Sequence, residues 1–379
     1  MEKALEKHYA WRGKFEIALR AELDTPADLA LAYTPGVALP CLEIEKDPQK
    51  SFALTRRWNT VAVITDGTAV LGLGDIGPEA AMPVMEGKAA LFKKFGDVDA
   101  IPLCLKTKDV DEIVNTIALL EGNFGGINLE DISAPRCFEI EEKLVKRLQI
   151  PVFHDDQHGT AIVTLAACHN YLRLVKKTPD QVRIVVNGAG AAGIAIIHLL
   201  QEAGYTDIIA CGRDGIIYKD KPNQRPSHQQ LAARTNPRHI QGDLATAMAG
   251  AHIFIGVSGP NCVSQQMVAS MGEKPAVFAM SNPTPEIMPP LAQAGGAYVI
   301  GTGRSDFPNQ INNASAFPGV FRGVLDKGAK HITTGMKIAA ATAIAQYIPD
   351  TELTPSYMMP DALNMDVAKA VASAVYHAD

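Results

Sequence analysis

The stretch VRIVVNGAGAAGIAIIHLL, from Val182 to Leu200, determines how the second half of this chain folds. It consists of a short apolar strand, a GxGxxG turn and an apolar helix, and in this setting the turn is a strong signal of a dinucleotide site. The glycines allow a tight bend and close approach to a pyrophosphate, whose oxygens the helix N-terminus binds. A glycine-rich turn without a ligand is the alternative. The residues predicted to contact the cofactor here are Gly188, Ala189, Gly190, Ala192, Gly193 and Ile194.

The chain after this turn alternates short apolar strands with helices. Strands are predicted at residues 207–211, 252–257, 276–280 and 297–301, and such near-continuous apolar runs are typical of a parallel sheet covered on both faces. Gly or Ser follows the first three strands, which places ligand-facing loops, including the predicted cofactor residue Ser258, at the carboxyl ends of the strands. Helices at 336–347 and 361–377 complete the predicted Rossmann-type, doubly wound parallel sheet.

The first part of the chain has the same α/β character. Strands are predicted at residues 60–65, 69–73 and 100–105, and helices at 83–95 and 110–121. A further helix at 159–176 is apolar on nearly all sides, as expected of a buried helix that links two domains. The sequence therefore predicts an N-terminal α/β domain at residues 1–157 and a C-terminal Rossmann-type domain at 158–379.

Two acidic pairs follow apolar runs in the middle of the chain. Glu130 and Asp131 come after GINL, and Asp155 and Asp156 come after IPVFH. Because such runs are typical of buried strands, the carboxylates are expected at the carboxyl edge of a sheet, where α/β folds bind ligands. Clustered carboxylates repel each other unless a cation or a proton lies between them, and oxygen ligands suit Mg²⁺ or Mn²⁺. The alternative is that both pairs are ordinary caps at strand ends.

The composition argues against several other classes of protein. The chain has 379 residues, a net charge of −6 and scattered basic residues, which argues against a nucleic-acid partner. Its six cysteines form no CxxC pair, as expected of reduced thiols in a cytoplasmic protein. The N-terminus has no apolar signal region, and no run of residues is long enough to span a membrane. We therefore expect a cytoplasmic protein with a small-molecule substrate.

Together and in order, the motifs of this chain resemble those of malic enzyme in its short bacterial form. They are YTPG from Tyr33, DGTAVLGLGD from Asp66, MEGK ending at Lys88, LED at 129–131, HDDQHGT at 154–160, the dinucleotide turn, SNP from Ser281 and NN at 312–313. The resemblance implies oxidative decarboxylation of L-malate to pyruvate and CO₂, with reduction of a nicotinamide cofactor and a requirement for Mn²⁺ or Mg²⁺. It also makes the N-terminal domain the catalytic one, which binds malate and the metal.

The chemistry of this reaction explains the residue types. Oxidation at C2 requires a base, decarboxylation requires an electron sink that a divalent cation supplies, and the resulting enol must be protonated at C3 by an acid. The roles that the resemblance implies are those of metal ligand (Glu130, Asp131 and Asp156), base (Lys88), acid (Tyr33), support for the base and acid (Asp155), substrate binding (Asn282 and Asn313) and cofactor binding (also Asn282).

Each of these roles has a simpler alternative. Lys88 could be a solvated helix lysine, Tyr33 could pack a turn, and NN at 312–313 could be only a polar turn. A base at Lys88 requires a lowered pKa, which burial or a nearby cation provides. Because hard cations favour oxygen, we interpret His154 and His158, which flank the second acidic pair, as supporting or core residues.

The anchoring of the substrate departs from the malic enzyme pattern. Larger members of the family have a carboxylate-binding arginine where this chain has Ala69, so the substrate must be anchored elsewhere. Arg136 is a candidate, and the alternative is that it pairs with Glu139 or Glu141 on its own helix.

The choice of cofactor is the second departure. The strand after the dinucleotide turn usually ends in an acidic residue that binds the ribose of NAD, but here the predicted cofactor residues Gly212 and Arg213 occupy this place. A small residue followed by an arginine admits the 2′-phosphate of NADP, whereas a shift of one residue makes Asp214 the ribose partner. Short relatives of Gram-positive type tend to use NAD. We predict NAD, with NADP as the alternative.

Three functions are compatible with the motifs: a malic enzyme, a malolactic enzyme that releases lactate and retains NAD, and a nucleotide-binding sensor without catalysis. The short length favours malic enzyme over the malolactic type, and the intact acid, base and metal residues argue against a sensor. The resemblance further implies a homodimer. The segment at 4–19 is predicted to pack as a helix against the partner, and the two chains could share an active site.

Overall fold

The computed structural model describes residues 2–70, 72–222 and 224–379, which form two α/β units. The strands are β1 (Thr60–Thr65), β2 (Asp99–Cys104), β3 (Gly126–Leu129), β4 (Val152–His154), β5 (Arg183–Asn187), β6 (Asp207–Gly212), β7 (Gly215–Ile216), β8 (Ile253–Gly256), β9 (Ala276–Ala279) and β10 (Val299–Thr302). The helices of the N-terminal segment and of the first unit are α1 (Glu2–Trp11), α2 (Pro26–Ala32), α3 (Ala38–Lys46), α4 (Ser51–Leu54), α5 (Pro78–Gly96), α6 (Val110–Leu119) and α7 (Arg136–Arg147). Those that follow are α8 (Asp155–Val175), α9 (Ala191–Glu202), α10 (Pro226–Arg234), α11 (Leu244–Met248), α12 (Gln265–Ala269), α13 (Pro289–Ala294), α14 (Phe317–Lys327), α15 (Thr334–Gln346) and α16 (Met365–His377).

The first sheet has four parallel strands in the order β2-β1-β3-β4. Strand β2 pairs with one edge of β1, and β3 and β4 lie on the other side of β1. Because the direction of winding reverses between β1 and β3, a crevice opens at their carboxyl ends. Thr65 and Leu129 end these two strands, and the acidic residues of the sequence follow them directly.

The second sheet has the order β10-β9-β8-β5-β6-β7. Its strands are parallel except for the short edge strand β7, which forms an antiparallel hairpin with β6. Winding reverses between β5 and β8, so a second crevice lies directly after the GxGxxG turn. The predicted α/β fold with a Rossmann-type sheet is confirmed, apart from the antiparallel edge.

A continuous hydrophobic core joins the two sheets. Phe92 of α5 contacts Phe317 and Phe321 of α14, with ring centroids 4.7 and 5.2 Å apart. Helix α8 packs against α9 and α15 beside the second sheet. Each fully buried aromatic or aliphatic side chain of this kind contributes about 1.5–3 kcal/mol. The packing therefore holds the carboxyl edges of both sheets in a defined relation.

Three predicted elements differ from the structure. Residues 69–73 were expected to form a strand, but Val70 makes only an isolated antiparallel bridge to Gly74, because Gly72 and Gly74 adopt left-handed backbone conformations with φ of 76° and 77°; Leu71 lies outside the described residues. The N-terminal helix ends at Trp11 rather than near residue 19. The long buried helix begins at Asp155, so the predicted domain boundary at residue 157 falls within its first turn. That boundary stays a prediction. Among the described helices, none has the length and apolar composition that crossing a membrane requires.

Candidate active site

Lys88 lies at the centre of a buried polar cluster at the carboxyl edge of the first sheet. Its Nζ is 2.6 Å from Oδ2 of Asp155 and 2.9 Å from Oε1 of Glu130. The lysine is 8% exposed because it lies on the core-facing side of α5, and the ring centroid of Phe317 is 4.3 Å from its ammonium group. Lys88 is therefore not a solvated helix lysine.

The charges in this cluster shift the pKa values of its members. Burial lowers the pKa of Lys88, but the carboxylates of Asp155 and Glu130 outweigh burial and raise it above its ordinary value, contrary to the lowered pKa expected of a base. Burial raises the pKa of Glu130 well above its ordinary value; Lys88 opposes this shift, and the carboxylates of Asp156, Asp155 and Asp131 add to it. One ammonium group thus faces four carboxyl groups, more negative charge than it can neutralise.

The carboxylates of Glu130, Asp131 and Asp156 are arranged as a divalent cation requires. One oxygen from each residue lies within 4.8 Å of the others. Glu130 and Asp131 directly follow β3, and Asp156 lies in the first turn of α8. Asp131 has a left-handed backbone (φ 52°), which is uncommon for a non-glycine residue, and its N–H donates to Oδ2 of Asp156 at 2.8 Å. Because a hard cation with oxygen ligands would relieve the repulsion, the residues fit Mg²⁺ or Mn²⁺.

The two histidines of the HDDQHGT motif lie outside this carboxylate group. His154 is fully buried, with its Nδ1 3.8 Å from Oδ2 of Asp156. His158 Nε2 is 2.7 Å from Oε1 of Glu141, and its Nδ1 accepts a hydrogen bond from Lys337 at 3.0 Å. Burial raises the pKa of Glu141, but His158, together with His154 and Lys337, outweighs burial and holds it at about 2. These contacts connect α7, α8 and α15 beside the acidic motif, in agreement with the predicted supporting role.

Asn313 reaches the lysine cluster from the C-terminal half of the chain. Its Nδ2 donates to Oδ2 of Asp155 at 2.5 Å, while the side chain of Asn312 caps the following turn. NN at 312–313 is therefore more than a polar turn. Asn282 lies in a different place, where a Cβ added at Gly303 would be 2.7 Å from its Nδ2. Among the contacts of the described residues, none joins Asn282 to the lysine cluster.

Tyr33 lies apart from the residues that it was expected to join. It follows α2 directly, and its side chain is 66% exposed. No contact in the described part of the chain connects it to Lys88 or Asp155. The physical reason is that α1, α2 and α3 bury none of their residues, so this segment does not pack Tyr33 onto the first sheet.

Arg136 has neither of the partners considered for it in the sequence. Its Nη1 is 2.8 Å from Oδ2 of the fully buried Asp66, and its Nη2 donates to Oγ1 of Thr68 at 2.9 Å. Glu139 instead pairs with Lys143. Because a buried carboxylate holds Arg136 at the end of β1, the arginine supports the loop after β1.

A large cleft occupies the crevice between β5 and β8 of the second sheet. Its volume is about 960 Å³, and the turn after β5, the end of β6 and the loop after β8 line it. Gly188 has φ of 119°, and a Cβ at this position would lie 2.5 Å from the carbonyl oxygen of Val257, so only glycine fits. Helix α9 begins at Ala191, directly after the turn. This is the strand, turn and helix arrangement that dinucleotide binding requires.

The predicted cofactor residues fall into two groups in the structure. Those that line the cleft are Gly188, Ala189, Gly190, Gly212, Arg213 and Ser258. Those that do not line it are Ala192, Gly193, Ile194 and Asn282. Ala192 and Ile194 pack against the hydrophobic core, and Gly193 lies against the carbonyl group of Gly188. The first turn of α9 therefore supports the cleft through packing.

Comparison with known proteins identifies the family of this chain. Residues 12–145 match the malic enzyme N-terminal domain, and residues 157–378 match the malic enzyme NAD binding domain. The chain belongs to the malic enzyme family. It is 54% identical over 375 residues to the bifunctional malic/malolactic enzyme of Bacillus subtilis, a match that covers 99% of this chain and 92% of the relative.

Two further malic enzymes show the range of the family. The NADP-dependent malic enzyme of Escherichia coli is 46% identical over 393 residues, which cover 99% of this chain and 51% of the relative. The crystal structure of the NAD-dependent malic enzyme from Thermotoga maritima has a TM-score of 0.96 and 46% identity, with 99% of both chains covered. These matches confirm the predicted reaction, oxidative decarboxylation of malate with a nicotinamide cofactor.

Several residues of the cleft were not predicted from the sequence. Asn187 ends β5 and donates to Oγ of Ser258 at 2.8 Å. Lys221, Arg225 and His228 also line the cleft, beside the end of β6. The polar residue directly before the GxGxxG turn could have indicated Asn187. The other three lie between β7 and the middle of α10, where no motif marks them.

Proposed function

We propose that the lysine cluster and the adjoining carboxylates carry out the oxidation and decarboxylation of L-malate. The observation that carries this proposal is the buried contact of Lys88 with Asp155 and Glu130, directly beside a group of carboxylates that fits a cation. In this role Glu130, Asp131 and Asp156 hold Mn²⁺ or Mg²⁺. When bound, the cation draws electron density from the C2 oxygen of the substrate and takes up the charge of Glu130, which otherwise raises the pKa of Lys88.

The chain's own residues move the protons. Lys88, as the neutral amine, would accept the proton of the C2 hydroxyl group while the C2 hydrogen passes as hydride to the nicotinamide. Asp155, which accepts hydrogen bonds from Lys88 and Asn313, fixes the direction of the lysine. Tyr33 donates a proton to C3 after CO₂ has left. Asn313 and Asn282 contribute amide donors for the substrate, and Asn282 also for the nicotinamide.

The direct test is an assay of the purified protein with L-malate and Mn²⁺, run separately with NAD and NADP. We expect pyruvate together with accumulating reduced cofactor. A malolactic reaction is the second candidate, because the Bacillus subtilis relative is a bifunctional malic/malolactic enzyme. Lactate formed without net reduction of the cofactor would establish that reaction instead. Absence of turnover with either cofactor would contradict both.

The cleft supports the use of NADP in addition to the NAD predicted from the sequence. Gly212 ends β6 without a carboxylate, and Arg213, Arg225 and His228 line the cleft around it. Asp214, in the tight hairpin between β6 and β7, also lines the cleft, and both it and Arg213 are exposed. A small residue surrounded by basic side chains accepts a 2′-phosphate, whereas a ribose hydroxyl usually has an acidic partner. We therefore expect turnover with both cofactors, and turnover with NAD alone would refute this assignment.

The N-terminal segment supports the predicted homodimer. Many of its large apolar side chains are at least 43% exposed, among them Leu5, Tyr9, Trp11, Phe15, Ile17, Leu19, Leu23, Leu29, Leu31, Tyr33, Leu39 and Leu42. An apolar surface of this extent is typical of an interface. A second copy of the chain would cover it and would bring Tyr33 to an active site that the two chains share. Sedimentation that shows only monomer would refute the homodimer.

Mixing two inactive variants tests the shared site. In a heterodimer of Tyr33→Phe and Lys88→Ala chains, a site built from both chains regains one intact Tyr33–Lys88 combination, so activity returns. If each site uses its own Tyr33, both sites of the heterodimer carry a lesion and no activity returns. Mixtures of each variant with itself are the controls.

A cytoplasmic location completes the proposal. All six cysteines are free, as expected of a protein in a reducing compartment. Cell fractionation tests it, and recovery of the protein with the extracytoplasmic fraction would refute it.

A further inference from the structure

Glu286 is a fully buried carboxylate under the carboxyl edge of the second sheet, and the mechanism above does not use it. It lies in the segment after β9, and its oxygens accept hydrogen bonds from two different loops. Oε1 accepts from the backbone N–H of Ser258 at 2.8 Å and from Oγ of Ser258 at 3.2 Å. Oε2 accepts from the backbone N–H of Ser281 at 3.1 Å. One side chain thus ties the loop after β8 to the loop after β9.

This hydrogen-bond network extends to a third strand. Asn187, at the end of β5, donates from Nδ2 to Oγ of Ser258, and that hydroxyl group donates in turn to Glu286. The hydroxyl of Ser258 is therefore oriented from both sides. The carboxylate connects the carboxyl ends of β5, β8 and β9, which are the strands on either side of the winding reversal.

A glycine at position 256 leaves the space that this carboxylate occupies. A Cβ added at Gly256, the last residue of β8, would lie 2.7 Å from Oε2 and 2.8 Å from Cγ of Glu286. Only a glycine at this position lets the carboxylate reach both loops. Among the described residues, no lysine, arginine or histidine forms an ion pair with Glu286, so N–H and O–H donors alone stabilise its charge. Burying a carboxylate without a paired cation costs free energy, a cost that a carboxylate at the surface would not incur.

We propose that Glu286 is a positioning residue for the nicotinamide half of the cofactor, because it sets the loops that carry Ser258 and Asn282 against each other. The adenosine half is served mainly by the turn after β5 and by the end of β6, and Glu286 forms no direct hydrogen bond with the described residues of either. This inference rests on the cleft being the dinucleotide site.

The experiment compares ligands that fill different parts of the cleft. The dissociation constants of NADH, NADPH and AMP are measured for the wild type and for Glu286→Gln, by nicotinamide fluorescence and calorimetry. Gln has one acceptor oxygen and an NH₂ group, so it loses the contact with one of the two loops. We expect the dissociation constant of the better-bound reduced cofactor to rise by about tenfold or more, the usual effect of losing a charge-assisted hydrogen bond. That of AMP should stay within about twofold, since the turn after β5 and the end of β6 serve the adenosine half and Glu286 does not hold them directly.

Two further variants keep the test decisive. Gly256→Ala displaces the carboxylate without removing its charge and should give the same pattern as Glu286→Gln. Glu273→Gln changes an exposed carboxylate just before β9 and should alter neither affinity. Equal loss of AMP and reduced-cofactor affinity, or unchanged affinity for both, would overturn the positioning role. If the wild type itself bound neither NADH nor NADPH, the assignment of the dinucleotide site would fail, which is a separate outcome.

Discussion

Replacement of Lys88 by alanine is the perturbation for which the structure makes the most detailed prediction. Lys88 is the cation of a cluster in which the side chains of Asp155 and Glu130 are 0% and 5% exposed. Removing one partner of a buried ion pair leaves an uncompensated charge and destabilises a protein by about 3–5 kcal/mol. We expect a loss of this size in the free energy of unfolding of Lys88→Ala, measured by denaturant titration in EDTA.

A divalent cation should reverse much of this loss. In the variant the carboxylates of Glu130, Asp131 and Asp156 repel each other more strongly than in the wild type, so Mn²⁺ should stabilise the variant by more than it stabilises the wild type. The matched control is Lys94→Ala, an exposed lysine on the same helix, for which a change within about 0.5 kcal/mol is expected. A stability of Lys88→Ala that equals that of the control, or that Mn²⁺ leaves unchanged, would refute the electrostatic reasoning.

Activity provides an independent measurement on the same variant. If Lys88 is the base, kcat should fall by about 10²–10⁴-fold. A small primary amine added to the assay should restore part of the rate, because the alanine leaves space where the ammonium group was. Lys88→Ala with full turnover would contradict the assignment of the base even if the variant is less stable.

Three further perturbations address the metal, the cofactor and a supporting contact. Asp156→Asn should weaken Mn²⁺ binding by at least about tenfold, because even residues that only support metal ligands have effects of this size. The affinity for NADPH, measured by calorimetry, should stay unchanged. An Mn²⁺ affinity equal to that of the wild type would show that Asp156 is not a ligand. Gly212→Asp should raise the ratio of kcat/KM for NAD over NADP by about tenfold, because the new carboxylate contacts the ribose of NAD and repels the 2′-phosphate of NADP. An unchanged ratio would show that the end of β6 does not select the cofactor. The pKa of Glu141 is lowered from 4.5 to about 2, so its contribution to stability is present above pH 4.5 and is lost as the pH falls toward 2. The free energy of unfolding of the wild type should exceed that of Glu141→Gln by about 3 kcal/mol at pH 7, and by about 1.4 kcal/mol less at pH 3.5; a difference independent of pH would contradict the role of its charge.

Local patterns in the sequence were sufficient to predict most of the second sheet. Its strands are short apolar runs, and the GxGxxG turn defined the position of β5 and α9. The expected strand at 69–73 failed because two glycines with positive φ turn the backbone, although the residues around them, such as Val70 and Leu73, are apolar. Apolar composition alone does not distinguish a buried strand from a buried turn.

The candidate site was predicted where its residues follow strands in short motifs. Glu130, Asp131, Asp155 and Asp156 are of this kind, because the sheet brings neighbouring strand ends together. The pairing of Arg136 with Asp66 joins residues 70 positions apart in the chain, and the pattern of neither residue reveals it. The position of Tyr33 depends on what covers an exposed segment, which one chain's sequence does not specify.

Helix α8 has a consequence for how the two units are joined. Its first turn carries Asp155 and Asp156, and the rest of the helix is packed into the core beside the second sheet. Glu130 and Asp131, in contrast, belong to the end of the first sheet. A cation bound by both groups would therefore join the first turn of α8 to the end of the first sheet. Because the rest of α8 is packed beside the second sheet, removal of the cation would weaken the junction between the two units as well as the active site.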